Sequence, residues 1–160
     1  MSGGEKMCQE KLKLVLDIGV IRGIISADEK TQRPDLSSRL WHCILHDLSN
    51  AQVITCPEIM GLYENHLKKI SQGYNLLRNF YFNLLKQKGK YKEYYEETEC
   101  PEEIKDRPDQ PYINCAYSTN ADYIISHDND FKNDFDDSNQ CFTCLKVEEF
   151  LEEKCEKRGN

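Results

Sequence analysis

Short apolar runs alternate with amphipathic segments along this 160-residue chain, and the alternation limits the folds it can adopt. Strands are predicted over residues 12–16, 51–55, 122–126 and 141–145, and helices over residues 36–48, from Pro57 to before Gly73, 74–88, 111–120 and 147–157. Strands that alternate with helices favour right-handed βαβ units. We therefore expect an α/β fold with a central parallel sheet of four to five strands, covered by helices on both faces.

The length of the chain corresponds to about one domain. We expect residues 1–11 to be an N-terminal tail and residues 12–157 to form a single domain with a charged loop at about 90–108. The N-terminal residues are too polar for a secretory signal, and no apolar run approaches the ~18 residues that cross a bilayer. These features predict a cytoplasmic protein with no membrane partner.

The chain has eight cysteines, and we expect them to be reduced. Cys43, Cys56 and Cys115 lie within apolar stretches, where cysteine behaves as a small hydrophobic residue. Cys141 and Cys144 have CxxC spacing, but no second CxxC pair accompanies them, so the pattern does not favour a zinc site.

Three aspartates lie at the ends of predicted elements. Asp17 ends the apolar run LKLVLD, Asp109 stands before the helix predicted at 111–120, and Asp128 follows the strand that contains Ile125. Ligands of parallel sheets collect at the carboxyl ends of the strands, which is where Asp17 and Asp128 fall. Clustered carboxylates repel one another, and oxygen ligands without His or Cys favour Mg²⁺ or Mn²⁺.

The net charge of −7 conceals a strong asymmetry along the sequence. The segment from His66 to Lys92 is basic and has no acid, whereas the residues after Asn120 are predominantly acidic. A basic segment beside an acidic metal site suits cleavage of a polyanion. We expect Lys86, Lys88 and Lys90 to contact substrate phosphates. A solvated helix face with its exit loop is the alternative interpretation of this segment.

The order of these motifs resembles that of PIN-domain nucleases, in particular the single-domain toxin type. The resemblance is carried by four blocks: LVLDIGVIRGII, VITCPEIMGLYENHL, DRPDQPYINCAYSTNADYIISHDNDF and CLKVEEFLEEK. It implies a three-layer α/β/α sandwich and an Mg²⁺- or Mn²⁺-dependent ribonuclease. It further implies that Asp17, Asp109 and Asp128 bind the metal with Asp130 as an auxiliary ligand, that an antitoxin is a partner, and that the protein forms a homodimer.

The chain departs from the family pattern at two positions. Gly19 replaces a hydrogen-bonding residue, and Leu62 stands where the family has an acid on the helix after the second strand. At about 100° per residue, Glu58 lies ~40° from the direction of Leu62, whereas Glu64 lies ~200° from it. Glu58 is therefore the better candidate for the missing catalytic acid. A carboxylate that only stabilises the helix N-terminus is the alternative role for Glu58.

Two other classes of function compete with a metal-dependent ribonuclease. Leu62 and Gly19 are compatible with a degenerate PIN-like module that binds RNA or a protein without cleaving RNA. A phosphoacceptor receiver domain also has an aspartate at a strand end, but it needs a second acid next to the first, and Asp17 is the only acid in LVLDIG. The motifs GxSxG and GxxxxGK[ST] are absent, so a serine nucleophile or a phosphate loop finds no support.

Overall fold

The computed structural model describes residues 10–26, 36–100, 109–127 and 142–155. The strands in these ranges are β1 (Leu12–Leu16), β2 (Ala51–Thr55), β3 (Tyr91–Glu93), β4 (Tyr123–Ser126) and β5 (Thr143–Lys146). They form one sheet in the order β3-β2-β1-β4-β5, and every neighbouring pair is parallel. The expected parallel sheet is therefore confirmed.

Helices cover both faces of this sheet. They are α1 (Ile18–Ser26), α2 (Leu36–His42), α3 (Pro57–Ile70), α4 (Tyr74–Gln87), α5 (Gln110–Thr119) and α6 (Val147–Phe150). Pro57 opens α3, where its missing N–H costs nothing, and Asn120 ends α5 in the left-handed conformation with φ 56°. Single π-helical turns extend α2 over Cys43–Asp47 and α6 over Leu151–Cys155.

Alternation along the strands shows on which face of the sheet α4, α5 and α6 lie. Lys13 projects towards α5, because its Nζ donates to the Thr119 carbonyl oxygen at 3.1 Å. The other face carries Tyr91, which stacks on Phe82 of α4 with ring centroids 5.0 Å apart. It also carries Tyr123, which contacts Phe150 of α6 at 5.8 Å. The chain is thus an α/β/α sandwich with α5 in one outer layer and α4 and α6 in the other.

Two elements were not anticipated from the sequence. The α1 segment, IGVIRGIIS, has Arg22 as its only charged residue, so it lacks the polar face that reveals a helical period. The three residues of β3 lie inside the segment 90–108 that was expected to be a loop. They pair with β2 alone, at one edge of the sheet, where a short and charged strand is typical.

The expectation of reduced cysteines was wrong for Cys43. It forms a disulfide with Cys155, 112 residues away, because the turn after α2 packs against the turn after α6. Cys56 and Cys115 are buried thiols, as expected, and their sulfur atoms lie 2.7 Å apart. Cys141 of the CxxC pair lies outside the described residues.

None of the helices in the described ranges is both long and apolar enough to cross a membrane.

Candidate active site

Asp17 directly follows β1, the strand at which the strand order of the sheet reverses. The chain leaves β1 for β2 and β3 on one side, and then returns to β4 on the other side of β1. In sheets of this kind, ligands bind at the carboxyl ends of the two strands that diverge. The Asp17 N–H donates to the Ile125 carbonyl oxygen of β4 at 3.0 Å, and the Asp17 carbonyl oxygen accepts the Val20 N–H of α1 at 3.0 Å. Its backbone is therefore held from both sides.

Tyr112 of α5 links Asp17 to Asp109. Its phenol oxygen accepts the Ile18 N–H at 3.1 Å, and the side chain also forms a hydrogen bond with Asp17. The pKa of Tyr112 is raised, first because the ring is buried and then because the charge of Asp17 opposes ionisation. The charge of Asp109 raises this pKa further. Both carboxylates thus act on the same buried phenol.

Tyr63 of α3 also binds the end of β1 beside Asp17. It is fully buried, and its hydroxyl donates to the carbonyl oxygen of Leu16, the residue before Asp17. Burial raises the pKa of Tyr63 well above its usual value, and the neighbouring Tyr112, Cys115 and Asp17 raise it further. A buried tyrosine normally satisfies its hydroxyl in this way, and here the bond fixes the end of β1 to α3.

Asp109 stands at the N-cap of α5 without capping it. Its backbone has φ −84° and ψ −13°, and its side chain makes no capping hydrogen bond. Pro111 removes one N–H from the first turn, which lowers the need for a cap. Asp109 is half-buried, and helix capping does not account for an aspartate at this position.

Leu62 is half-buried against the hydrophobic core, whereas Glu58 is exposed on the first turn of α3. The Glu58 N–H donates to Oε1 of Glu97 at 3.1 Å, so the helix N-terminus is bound by a carboxylate from the segment after β3. The pKa of Glu97 is raised, mainly by burial, and the Glu58 bond partly offsets that effect. Oε2 of Glu97 is buried and has no hydrogen-bond partner among the described residues.

Asp128 and Asp130 lie outside the described residues. The residue before them, His127, is exposed, and its Nε2 lies 2.8 Å from Oγ of the buried Ser37. Gly19 lies beside Asp17, since a Cβ added at Gly19 would be 3.5 Å from Oδ2 of Asp17.

The predicted substrate lysines lie near the amino ends of the strands, whereas Asp17 lies at the carboxyl end of β1. Because α4 ends at Gln87 and β3 begins at Tyr91, Lys86, Lys88 and Lys90 are at the amino ends of the strands. The expectation for Lys90 needs a correction: it is 8% exposed, and its Nζ donates to the Leu48 carbonyl oxygen. Burial lowers its pKa, so this ammonium group is used within the fold. Lys86 and Lys88 are exposed.

The candidate metal ligands near Tyr112 are carboxylates. Among the described residues, no three His, Cys, Asp or Glu side chains form a group that could hold a metal. A structural zinc ion needs about four such ligands, whereas Mg²⁺ binds through one or two carboxylates and keeps several waters. Asp17 and Asp109, the two acids around Tyr112, are carboxylates that could hold a divalent metal ion.

Three functional candidates were missed at the level of sequence. Tyr63 and Tyr112 are buried residues of their helices, and no local sequence signal indicates that their hydroxyls support Asp17. Glu97 lies among several acids in the segment EYYEETEC, and no periodic signal distinguishes it from its neighbours.

Comparison with known proteins supports the assignment of the fold. No curated protein and no solved structure matches the chain at a significant level. A family model described as PIN domain matches residues 13–130, which contain β1 from its second residue, β2 to β4, and both Asp17 and Asp109. PIN domains are nuclease-type domains that generally act on nucleic acids with divalent metals. The chain belongs to the PIN-domain family.

Proposed function

We propose that this protein is an Mg²⁺- or Mn²⁺-dependent endoribonuclease that hydrolyses phosphodiester bonds. The observation that carries the proposal is the position of Asp17 at the divergence of β1 and β4, where it shares Tyr112 with Asp109. Two carboxylates at this edge supply the hard oxygen ligands that these ions prefer.

In this proposal Asp17, Asp109 and Asp128 hold the ion, Asp130 assists them, and Glu58 is the catalytic acid from α3. When bound, the ion supplies positive charge opposite the reacting phosphate and increases the acidity of water. Tyr112 and Tyr63 keep Asp17 in place through the Ile18 N–H and the Leu16 carbonyl oxygen. Such positioning lowers the cost of organising the site for reaction.

The test is cleavage of labelled RNA by purified protein with Mn²⁺. Asp17→Asn should abolish cleavage, because it removes a metal-binding charge and keeps the size of the side chain. Asp47→Asn is the matched control, since Asp47 is an exposed aspartate before β2, at the opposite edge of the sheet. Cleavage that survives in Asp17→Asn would refute the assignment.

A toxin role is a finer part of the same proposal. Expression of the wild-type chain should then arrest growth of a host cell, and Asp17→Asn should not. Co-purification from the native host would identify an antitoxin, and light scattering would test for the proposed homodimer. Growth arrest by Asp17→Asn as well would exclude RNA cleavage as its cause.

A degenerate module that binds RNA without cleavage is the second candidate function. The half-buried Leu62 favours it, because an apolar side chain occupies the place of the family's acid. This candidate predicts RNA binding without cleavage and no rise in Tm with Mn²⁺. Leu62→Glu combined with Gly19→Asn should then introduce Mn²⁺-dependent cleavage, whereas cleavage by the wild-type chain would exclude the candidate.

A further inference from the structure

A cleft of about 460 Å³ opens beside the Cys43–Cys155 disulfide. It lies between the end of α2 and the π-helical turn that extends α6, and both cysteines line it together with Arg39, His42 and Asp47. Its volume falls within the range of roughly 300–1,000 Å³ that is usual for small-molecule sites. The disulfide is therefore part of the wall of a cleft that is large enough for a small ligand.

The wall formed by α2 carries positive charge. At about 100° per residue, Arg39 lies ~60° from His42 and ~40° from Cys43 around the helix axis, so the three side chains share one face of the helix. Arg39 and His42 are both exposed. A guanidinium group binds a carboxylate through two parallel N–H donors, and a protonated imidazole adds further donors. This wall therefore suits a ligand that carries carboxylates.

Asp47 places a negative charge beside these cations. Its Oδ1 lies 3.9 Å from Nε2 of His42, and the two side chains are 47% and 66% exposed. An ion pair this long and this exposed contributes little free energy, so a ligand can separate its partners at small cost. Asp47 is then placed to bind an ammonium group. A zwitterion with carboxylates and an ammonium group matches all three charges.

The opposite wall leaves the positive charge of α2 unopposed. It is formed by Leu151 and Cys155. Glu152 and Glu153 belong to the same turn and are exposed, but within the described part of the chain they do not line the cleft. Carboxylates of a ligand are therefore not repelled from this side.

The two sulfur atoms of the disulfide differ in accessibility. Cys43 is 1% exposed, whereas Cys155 is half-buried at the wall of the cleft. A thiolate that opens a disulfide must reach one of its sulfur atoms directly. A nucleophile in the cleft therefore attacks Sγ of Cys155, and Cys43 is the leaving group.

Other cysteines of the chain argue against a disulfide framework. Cys56 and Cys115 are thiols although their sulfur atoms lie 2.7 Å apart. Small proteins that depend on disulfides are dense in them, whereas a disulfide in a compartment that keeps thiols reduced is usually transient and redox-sensing. A single disulfide beside a cleft, in a chain with buried thiols, fits the second description.

We infer that this cleft binds a small zwitterionic thiol that carries carboxylates, and that the bound thiol exchanges with the Cys43–Cys155 disulfide. In the first step the thiolate forms a bond to Sγ of Cys155, the Cys43–Cys155 bond breaks, and Cys43 leaves as a thiolate that takes a proton from solvent. A second thiol then attacks the ligand sulfur of the mixed disulfide, which forms the oxidised ligand and leaves Cys155 as a thiol. Two thiols thus supply the two electrons that reduce the protein disulfide. The inference is independent of the proposed ribonuclease.

The first test compares glutathione, a zwitterionic thiol with carboxylates, with uncharged 2-mercaptoethanol. Oxidised wild-type protein is mixed with each thiol, and the rate of disulfide opening is measured by alkylation and intact mass. The rate should saturate with glutathione, because the thiol binds before it reacts, and should rise linearly with 2-mercaptoethanol. A linear dependence on both thiols would overturn the inference, as would a disulfide that opens only after the protein is unfolded in urea.

Arg39→Ala combined with His42→Ala tests the positive wall. The rate with glutathione should fall by roughly tenfold or more, since hydrogen bonds to charged groups are lost, and the rate with 2-mercaptoethanol should not change. Arg22→Ala combined with His46→Ala is the matched control, because both side chains are exposed and neither lines the cleft. The control should react like the wild type. An equal loss with both thiols would overturn the inference, because it would show altered access to the disulfide rather than recognition of the thiol.

Cys43→Ala and Cys43→Ser identify the sulfur that is attacked. Each variant lacks the cysteine that would resolve a mixed disulfide. Its Cys155 thiolate should therefore displace one thiolate from oxidised glutathione and retain the other half as a stable adduct. Circular dichroism checks that the variant is folded, and peptide mapping should find the adduct on Cys155. A folded variant with no adduct, or with an adduct only on another cysteine, would overturn the inference.

Discussion

Ser37 and His127 are 90 residues apart in sequence, and Oγ of the serine lies 2.8 Å from Nε2 of the histidine. The contact joins the start of α2 to the carboxyl end of β4, and it depends on Gly23 of α1. A Cβ added at Gly23 would lie 2.2 Å from the Ser37 oxygen and 3.5 Å from Nε2 of His127. Because Gly23 has no side chain, α1 can pack closely against Ser37 of α2 and His127 at the end of β4. His127 is the residue before Asp128 in the sequence.

Gly23→Ala should destabilise the protein by about 1–3 kcal/mol, because the new methyl group overlaps Ser37. Urea unfolding measures the change in the free energy of unfolding. Gly61→Ala is the matched control, since Gly61 is inside α3 and a Cβ there would meet nothing within 4 Å. It should stabilise the protein by about 0.5–1 kcal/mol. Equal effects of the two substitutions would contradict the close contact at Gly23.

Tyr112→Phe should reduce the rate of Mn²⁺-dependent RNA cleavage by roughly tenfold or more. It removes the hydroxyl that accepts the Ile18 N–H and bonds with Asp17, and such a bond contributes about 1–3 kcal/mol. Tyr117→Phe, on the same helix, should have little effect. The Mn²⁺ concentration that gives half-maximal activity should also rise in Tyr112→Phe, whereas a purely structural defect would lower Tm and leave that concentration unchanged.

Glu97→Gln should make the protein more stable at pH 7. Burial raises the pKa of Glu97 above 4.5. The stability that the protonated carboxyl group contributes is therefore fully present below pH 4.5, and it is lost as the pH rises through the pKa of the folded state. Glutamine keeps an oxygen for the Glu58 N–H without the buried charge. The free energy of unfolding, measured from pH 4 to 7, should fall less steeply in the variant. An equally steep decline in both proteins would show that Glu97 is not the cause.

Stability should also fall in alkali because of Tyr91. Burial raises the pKa of Tyr91 from 10.0 to about 12, although its hydrogen bond with Thr55 acts in the opposite direction. The contribution of the neutral phenol is therefore present below pH 10 and is lost as the pH rises towards 12. Tyr91→Phe should weaken this dependence, at a cost of about 1–3 kcal/mol for the unsatisfied Thr55 hydroxyl. Thermal unfolding at pH 8, 10 and 11 measures both effects.

Reduction of the Cys43–Cys155 disulfide should lower the free energy of unfolding by about 2–5 kcal/mol, because the bond closes a loop of more than 100 residues. Unfolding with and without a reducing agent measures this change. Cys155→Ser should lower stability by a similar amount and should make it independent of the reducing agent. A reductant effect that persists in Cys155→Ser would point to a different pair of cysteines.

The elements that have a strong local pattern can be predicted from the sequence alone. Apolar runs of strand length and helical periods predicted β1, β2, β4 and β5, and chain direction predicted that Asp17 would leave β1 at the carboxyl edge of the sheet. These features depend on neighbouring residues and on the common direction of parallel strands, so they can be derived before the chain is folded.

Contacts between residues that are distant in sequence are visible in the fold and in no local sequence pattern. In the fold, Lys86 and Lys88 lie near the amino ends of the strands, away from Asp17. Lys90 is buried and bonds to the Leu48 carbonyl oxygen, and Cys43 is bonded to Cys155. The hydroxyls of Tyr63 and Tyr112 lie at the end of β1, and Glu97 binds the first turn of α3. Each of these relationships crosses between elements, and periodicity reports only which side of an element is buried. The packing partner on that side is fixed by the order of the strands, which no local pattern encodes.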